Sequence, residues 1–143
     1  MKARIVVGEG SCGLAAGAGA VYDALKAALN PEAASLGITG CVGACFLEPI
    51  VDIYDEKGGL HRCVHVASEN APAIAEAVKT GAYEGIADLL IKPEDERFLT
   101  RQTRIALRHC GIVDPESLED YVAAGGYTAL KKALTEMTPE SVI

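Results

Sequence analysis

Three cysteines stand in two glycine-rich stretches. Cys12 lies in Gly8-Glu9-Gly10-Ser11-Cys12-Gly13, and Cys41 and Cys45 lie in Gly40-Cys41-Val42-Gly43-Ala44-Cys45. Thiolates are the ligands of iron–sulfur clusters and of many zinc sites. Glycines let backbone N–H groups approach ligand sulfurs, and those hydrogen bonds offset the negative charge of a cluster and raise its potential. Zinc also accepts three cysteines plus one other ligand, but the usual Cys-x-x-Cys spacing is absent. The same absence argues against a dithiol redox pair. The other two cysteines, Cys63 and Cys110, lie in apolar-patterned segments and read as core thiols. An odd total of five fits disulfides poorly.

The elements that must position these thiols follow from the pattern. Ala3 to Val7 reads as a strand rich in β-branched residues, followed by the first loop. From Leu14 to Leu29 apolar residues recur at helical spacing (Leu14, Ala18, Val21, Leu25, Ala28), with Ser11 as N-cap and Asn30-Pro31 as the stop. The positive end of that helix would point at Cys12. A short strand over 34–39 leads into the second loop. Pro49 to Tyr54 alternates as a strand, Asp55 to Gly59 turns, and Leu60 to Val66 returns beside it. Ser68 caps a helix near 72–79. If the first two strands are neighbours, their loops converge. The sum is an α/β sandwich of about ninety residues, and pattern alone does not choose between thioredoxin-like and ferredoxin-like versions.

From Lys92 the character changes to a charged linker carrying Arg97, Arg101, Arg104 and Arg108, which could form either an interface or a solvated face. Asp114-Pro115-Glu116-Ser117 opens a helix, with Leu118, Tyr121 and Val122 on one face. Gly125-Gly126 interrupts it and Tyr127 to Leu134 resumes. Thr138-Pro139-Glu140 reads as the start of a further helix, as though a domain were interrupted there.

The 143 residues are half apolar and 23% charged, which suits a folded chain. The net charge is −7, divided as −5 through residue 91 and −2 beyond it. That excludes a nucleic-acid binder built on a basic patch. No apolar run suits membrane insertion and the start carries no signal-peptide pattern, so the expected location is cytoplasmic. His61 and His65 alternate on an edge-like strand and read as surface residues. Adjacent His109 and Cys110 point apart and make a poor metal pair. Glu48, before Pro49, fits the start of a strand and receives no catalytic role. Tyr121 and Tyr127 read as packing residues.

The stretches Val7 to Gly13 and Gly40 to Cys45, with Glu48-Pro49-Ile50-Val51, resemble the thioredoxin-like 2Fe–2S ferredoxins. That family includes the 24-kDa-type subunit of NADH dehydrogenase. It also forms the N-terminal domain of 51-kDa-type flavoprotein subunits in bifurcating hydrogenases and NAD-dependent formate dehydrogenases. The run Gln102 to Gly111, then Asp114 to Tyr121, Gly125-Gly126-Tyr127 and Thr138 to Ile143, is similar to the lead-in to the flavin domain of the 51-kDa-type subunits. The resemblance implies a thioredoxin-like ferredoxin domain over 1–91, followed by a short, mostly helical segment over 92–143. It implies an electron-transfer module of an NADH-linked multisubunit oxidoreductase, with Cys12, Cys41 and Cys45 on a 2Fe–2S cluster. FMN and NAD are expected only in a continuation or a partner, and the partners are other subunits or the flavin domain of a redox complex. The family uses four cysteines, and Val7 occupies the first of their positions. A fourth ligand would then come from Glu9, Ser11, water or another chain, with Cys63 as a substitute. One anionic ligand fewer raises the potential and weakens the cluster. The alternative is a cluster-free docking domain of the same kind of complex.

Overall fold

β-Branched residues at Ile5, Val6 and Val7 make β1 (Ala3–Gly8) the centre of a mixed four-stranded sheet in the computed structural model, which describes residues 2–143. The strand order is β2-β1-β3-β4, with β2 spanning Ala34–Thr39, β3 Val51–Tyr54 and β4 Leu60–Cys63. β1 and β2 run parallel and end side by side, with Gly8 opposite Thr39. β3 is antiparallel to β1, and β4 to β3. The α/β class and the strand-helix-strand-hairpin-helix order are those expected from the sequence.

The side chains of Ile5, Val7, Val51 and Ile53 belong to the main core. Helices α2 (Ala18–Ala28) and α3 (Ala71–Thr80) contribute Ala18, Val21, Leu25, Ala71, Ile74 and Ala77 to it. The opposite face carries Val6 and the buried Asp52, whose carboxylate forms a two-point ion pair with Arg62 at 2.7 and 2.6 Å. Backbone carbonyls of the later segment reach this face. Arg4 donates to Ile112 O at 2.9 Å, Tyr54 Oη to Gly111 O at 3.1 Å and Thr39 Oγ1 to Val113 O at 3.0 Å. A smaller core of Val42, Ala44, Leu47, Ile50, Val64 and Leu99 lies around the second loop.

Local differences from the sequence reading have physical causes. The expected helix over 14–29 is two helices, α1 (Ser11–Ala16) and α2, because Gly17 adopts φ 103° between them. Leu14 consequently leaves the buried face. Ser11 is the first helical residue rather than the cap, since Leu14 N–H already donates to Gly10 O. β4 stops at Cys63 because His65 turns to φ 51° and the Val64 and Val66 N–H groups donate to Leu89 and Pro49 carbonyls. Ser68 lies in a 3₁₀ turn, Ser68–Asn70, and α3 begins after it.

Beyond residue 91 come α4 (Pro93–Thr100), α5 (Leu118–Ala123), α6 (Thr128–Glu136) and α7 (Pro139–Val142). Ser117 caps α5 by accepting from Asp120 N–H at 3.1 Å. Leu118, Tyr121 and Val122 are exposed rather than packed. Tyr121 and Tyr127 meet edge to face, at 5.0 Å between ring centres. Among the described residues no helix is long and apolar enough to cross a membrane.

Candidate metal centre

Parallel pairing of β1 and β2 sends both glycine-rich loops off the same end of the sheet. Glu9 N–H donates to Thr39 O at 2.9 Å, fastening the loops at their roots. Close approach then depends on two glycines. A Cβ at Gly10 would stand 2.8 Å from the Cys41 Cβ, and one at Gly13 would stand 2.0 Å from Gly8 O. With no side chains there, the Sγ atoms of Cys12, Cys41 and Cys45 come within 4.8 Å of one another.

Within the group, Cys41 and Cys45 are 3.6 Å apart and Gly43 N–H donates to Cys41 Sγ at 3.3 Å. Two sulfurs on one tetrahedral metal ion, with bonds of about 2.3 Å, lie about 3.8 Å apart. The Cys41/Cys45 pair is already near that separation. Cys12 and Cys41 are partly buried, while Cys45 faces solvent. Hydrogen bonding to Cys41, then burial and Cys45, pushes the Cys12 thiol up to about 12. A coordinated cation reverses that, because a ligating thiol is deprotonated outright. Three soft donors converging at one point fit a thiolate-bound iron or zinc centre.

Glu48 completes the surroundings. It is only 7% exposed. Its Oε2 accepts from Ile50 N–H at 2.9 Å, and Cys12 Sγ donates to Oε1 at 3.7 Å. Burial raises its pKa, and the Ile50 N–H and Cys12 contacts oppose the rise. The position before Pro49 gave no hint of this. Glu48 reaches the loops because Gly8 N–H donates to Ile50 O at 3.0 Å, placing the approach to β3 beside the end of β1.

The remaining sequence candidates stay outside the thiol group. Val7 is fully buried in the main core. Cys63 belongs to the same core, where burial pushes its thiol up to about 12. It therefore cannot substitute for a ligand at position 7 without leaving that core. Cys110, expected to be a core thiol, is partly exposed in a turn, and its Sγ would lie 3.8 Å from a Cβ on Gly40. His61 is partly covered by stacking on Tyr83 and bonds to Asp55 at 3.1 Å. His109 Nε2 accepts from Arg108.

Comparison with solved structures decides the fold. The chain superposes on the thioredoxin-like [2Fe-2S] ferredoxin from Aquifex aeolicus with a TM-score of 0.53 at 22% identity, covering 64% of this chain and 97% of that one. It has the thioredoxin-like ferredoxin fold. A cysteine-to-serine variant of that ferredoxin matches equally, with a TM-score of 0.53 at 20% identity over 63% of this chain and 98% of the other. The thioredoxin-like unit thus accounts for about two thirds of the chain. Among curated proteins, the NADP-reducing hydrogenase subunit HndC of Solidesulfovibrio fructosivorans is 56% identical over 43 residues. That stretch is 30% of this chain and 9% of the hydrogenase subunit. No family model matches.

Proposed function

We propose that the chain is an electron-transfer module of an NADH-linked multisubunit oxidoreductase and holds a 2Fe–2S cluster through Cys12, Cys41 and Cys45. The convergence of the three thiols within 4.8 Å, at the strand ends of a thioredoxin-like ferredoxin fold, carries this reading. The bound cluster would supply one-electron transfer. The chain supplies the rest. Gly43 N–H offsets negative charge at Cys41. Buried Val42, Ala44 and Leu47 exclude water behind the second loop, and exposed Cys45 brings one ligand to the surface, where electrons enter or leave.

Residues 1–91 are the ferredoxin-like unit in this proposal. Residues 92–143 are the linker and helical lead-in to an FMN- and NADH-binding domain on a continuation or partner, which would be the redox neighbour. The match to a hydrogenase subunit supports such a setting, and the location proposed is the cytoplasm. Anaerobic reconstitution followed by iron and acid-labile sulfide analysis tests it. Two irons and two sulfides per chain are expected, and a colourless product with neither overturns it. A cluster-free docking module is the second reading, favoured by the burial of Val7 in the core. It predicts that the natural chain retains no iron after reconstitution.

A further inference from the structure

Spacing in the sequence argued against a dithiol pair, because Val42, Gly43 and Ala44 all separate Cys41 from Cys45. The fold brings the two thiols together all the same, with their Sγ atoms 3.6 Å apart. A disulfide bond is about 2.0 Å long, so the sulfurs need to close by about 1.6 Å. The second loop is shaped for that approach. Gly43 turns at φ 90°, and its N–H donates to Cys41 Sγ at 3.3 Å, which folds the loop back over Cys41. Val42 and Ala44 are buried on either side of the turn, and Leu47 N–H donates to Ala44 O at 2.9 Å. The backbone between the thiols is therefore anchored, and the cysteine side chains supply the movement. Cys45 is exposed, so a small oxidant reaches it first, with partly buried Cys41 beside it as the second thiol. An accessible cysteine next to a resolving one is the arrangement of oxidation-sensitive thiols. Cys63 is enclosed in the core, and Cys110 lies outside the converging group.

We propose that Cys41 and Cys45 form a disulfide when the metal is lost in the presence of a peroxide, and that this bond blocks reassembly of the centre. In the first step the Cys45 sulfur attacks one oxygen of hydrogen peroxide. The O–O bond breaks, leaving a sulfenic acid on Cys45, and the other oxygen departs as water with the thiol proton. In the second step the Cys41 sulfur attacks the Cys45 sulfur. The S–S bond forms, the S–O bond breaks, and the hydroxyl leaves as water with the Cys41 proton. Together the two thiols lose two electrons and two protons, and the peroxide is reduced to two waters. Only Cys12 of the three thiols then remains a ligand, and a dithiol reductant reopens the site by exchange. The disulfide itself is independent of the 2Fe–2S reading, whereas its effect on iron uptake rests on that reading.

The test uses metal-free chain, reduced, freed of reductant and treated with one equivalent of hydrogen peroxide. Free thiols are counted after denaturation, and the bond is located by peptide mass mapping. Two of the five thiols should disappear. The peptide holding Cys41 and Cys45 should be lighter by two hydrogen atoms, while Cys12, Cys63 and Cys110 remain thiols. Cys12→Ala should oxidise as the wild type does. Cys41→Ala should instead leave Cys45 as a sulfenic acid that dimedone traps. Oxidised wild type should take up about tenfold less iron than reduced wild type on reconstitution, and dithiothreitol should restore the uptake. A wild type that keeps all five thiols, one whose bond joins Cys12 or Cys110, or one that carries a sulfinic acid at Cys45 overturns the proposal. A mapped Cys41–Cys45 bond with undiminished iron uptake overturns the blocking role. A mapped bond with no iron taken up by either form supports the disulfide and overturns the cluster reading instead.

Discussion

The region up to residue 91 and the segment after it carry similar apolar patterns and fold to different depths. In the first, Ile5, Leu25, Ile53 and Ile74 are completely buried. In the second, only Leu99 and Gly111 are buried, while Ile105 and Leu134 are 77% and 76% exposed. Periodicity makes a helix in both; burial requires a sheet to pack on, and only the first region has one. The difference places the thiols. Loops rooted in a sheet edge have fixed spacing, so Cys12, Cys41 and Cys45 meet there, whereas the later segment touches that scaffold through Leu99 and through the backbone of Gly111, Ile112 and Val113.

One thiol from each region gives the widest contrast. With its thiol pushed up to about 12 by burial, Cys63 should react with an alkylating agent at pH 8 about a thousandfold more slowly than an ordinary surface thiol. Partly exposed Cys110 should label readily in the same sample. Equal rates, followed by mass spectrometry, would show that the core opens. Next comes packing: Ile53→Ala should cost about 2–5 kcal/mol in denaturant unfolding. Leu134→Ala should stay within about 0.5 kcal/mol, and a comparable loss there would mean that the later segment is covered. Asp52→Asn should cost about 2–3 kcal/mol by breaking the charged hydrogen bonds to half-buried Arg62; no loss in the same assay would mean that the pair is dispensable. The smallest effect lies in the hairpin. Gly59 N–H, then His61, hold the Asp55 carboxyl below its ordinary 3.8. Its contribution is complete above that value and disappears as pH falls through the lower folded value. Asp55→Asn should therefore flatten the acid limb of a stability–pH curve.

Much of the site was legible in the sequence because glycine-flanked cysteines mark loops, and consecutive short strands tend to be neighbours. The hairpin at Asp55–Gly59 and the helix opened by Asp114-Pro115-Glu116-Ser117 were legible for the same local reason. The buried place of Glu48 beside Cys12 was not, because it comes from the backbone bond between Gly8 and Ile50, which sets two distant segments side by side. The break at Gly17 was hidden by the small residues around it, which suit a continuous helix equally well. Cys110 looked like a core thiol because its neighbours are apolar, yet the chain there runs as a turn across the open face of the sheet.

Low-temperature EPR of the reconstituted chain after one-electron reduction tests the shared centre most directly. Coupled ferrous and ferric ions should give a spin-one-half signal that disappears in each of Cys12→Ala, Cys41→Ala and Cys45→Ala. A silent wild type, or a Cys12→Ala protein with an undiminished signal, would mean that the two loops do not hold one centre.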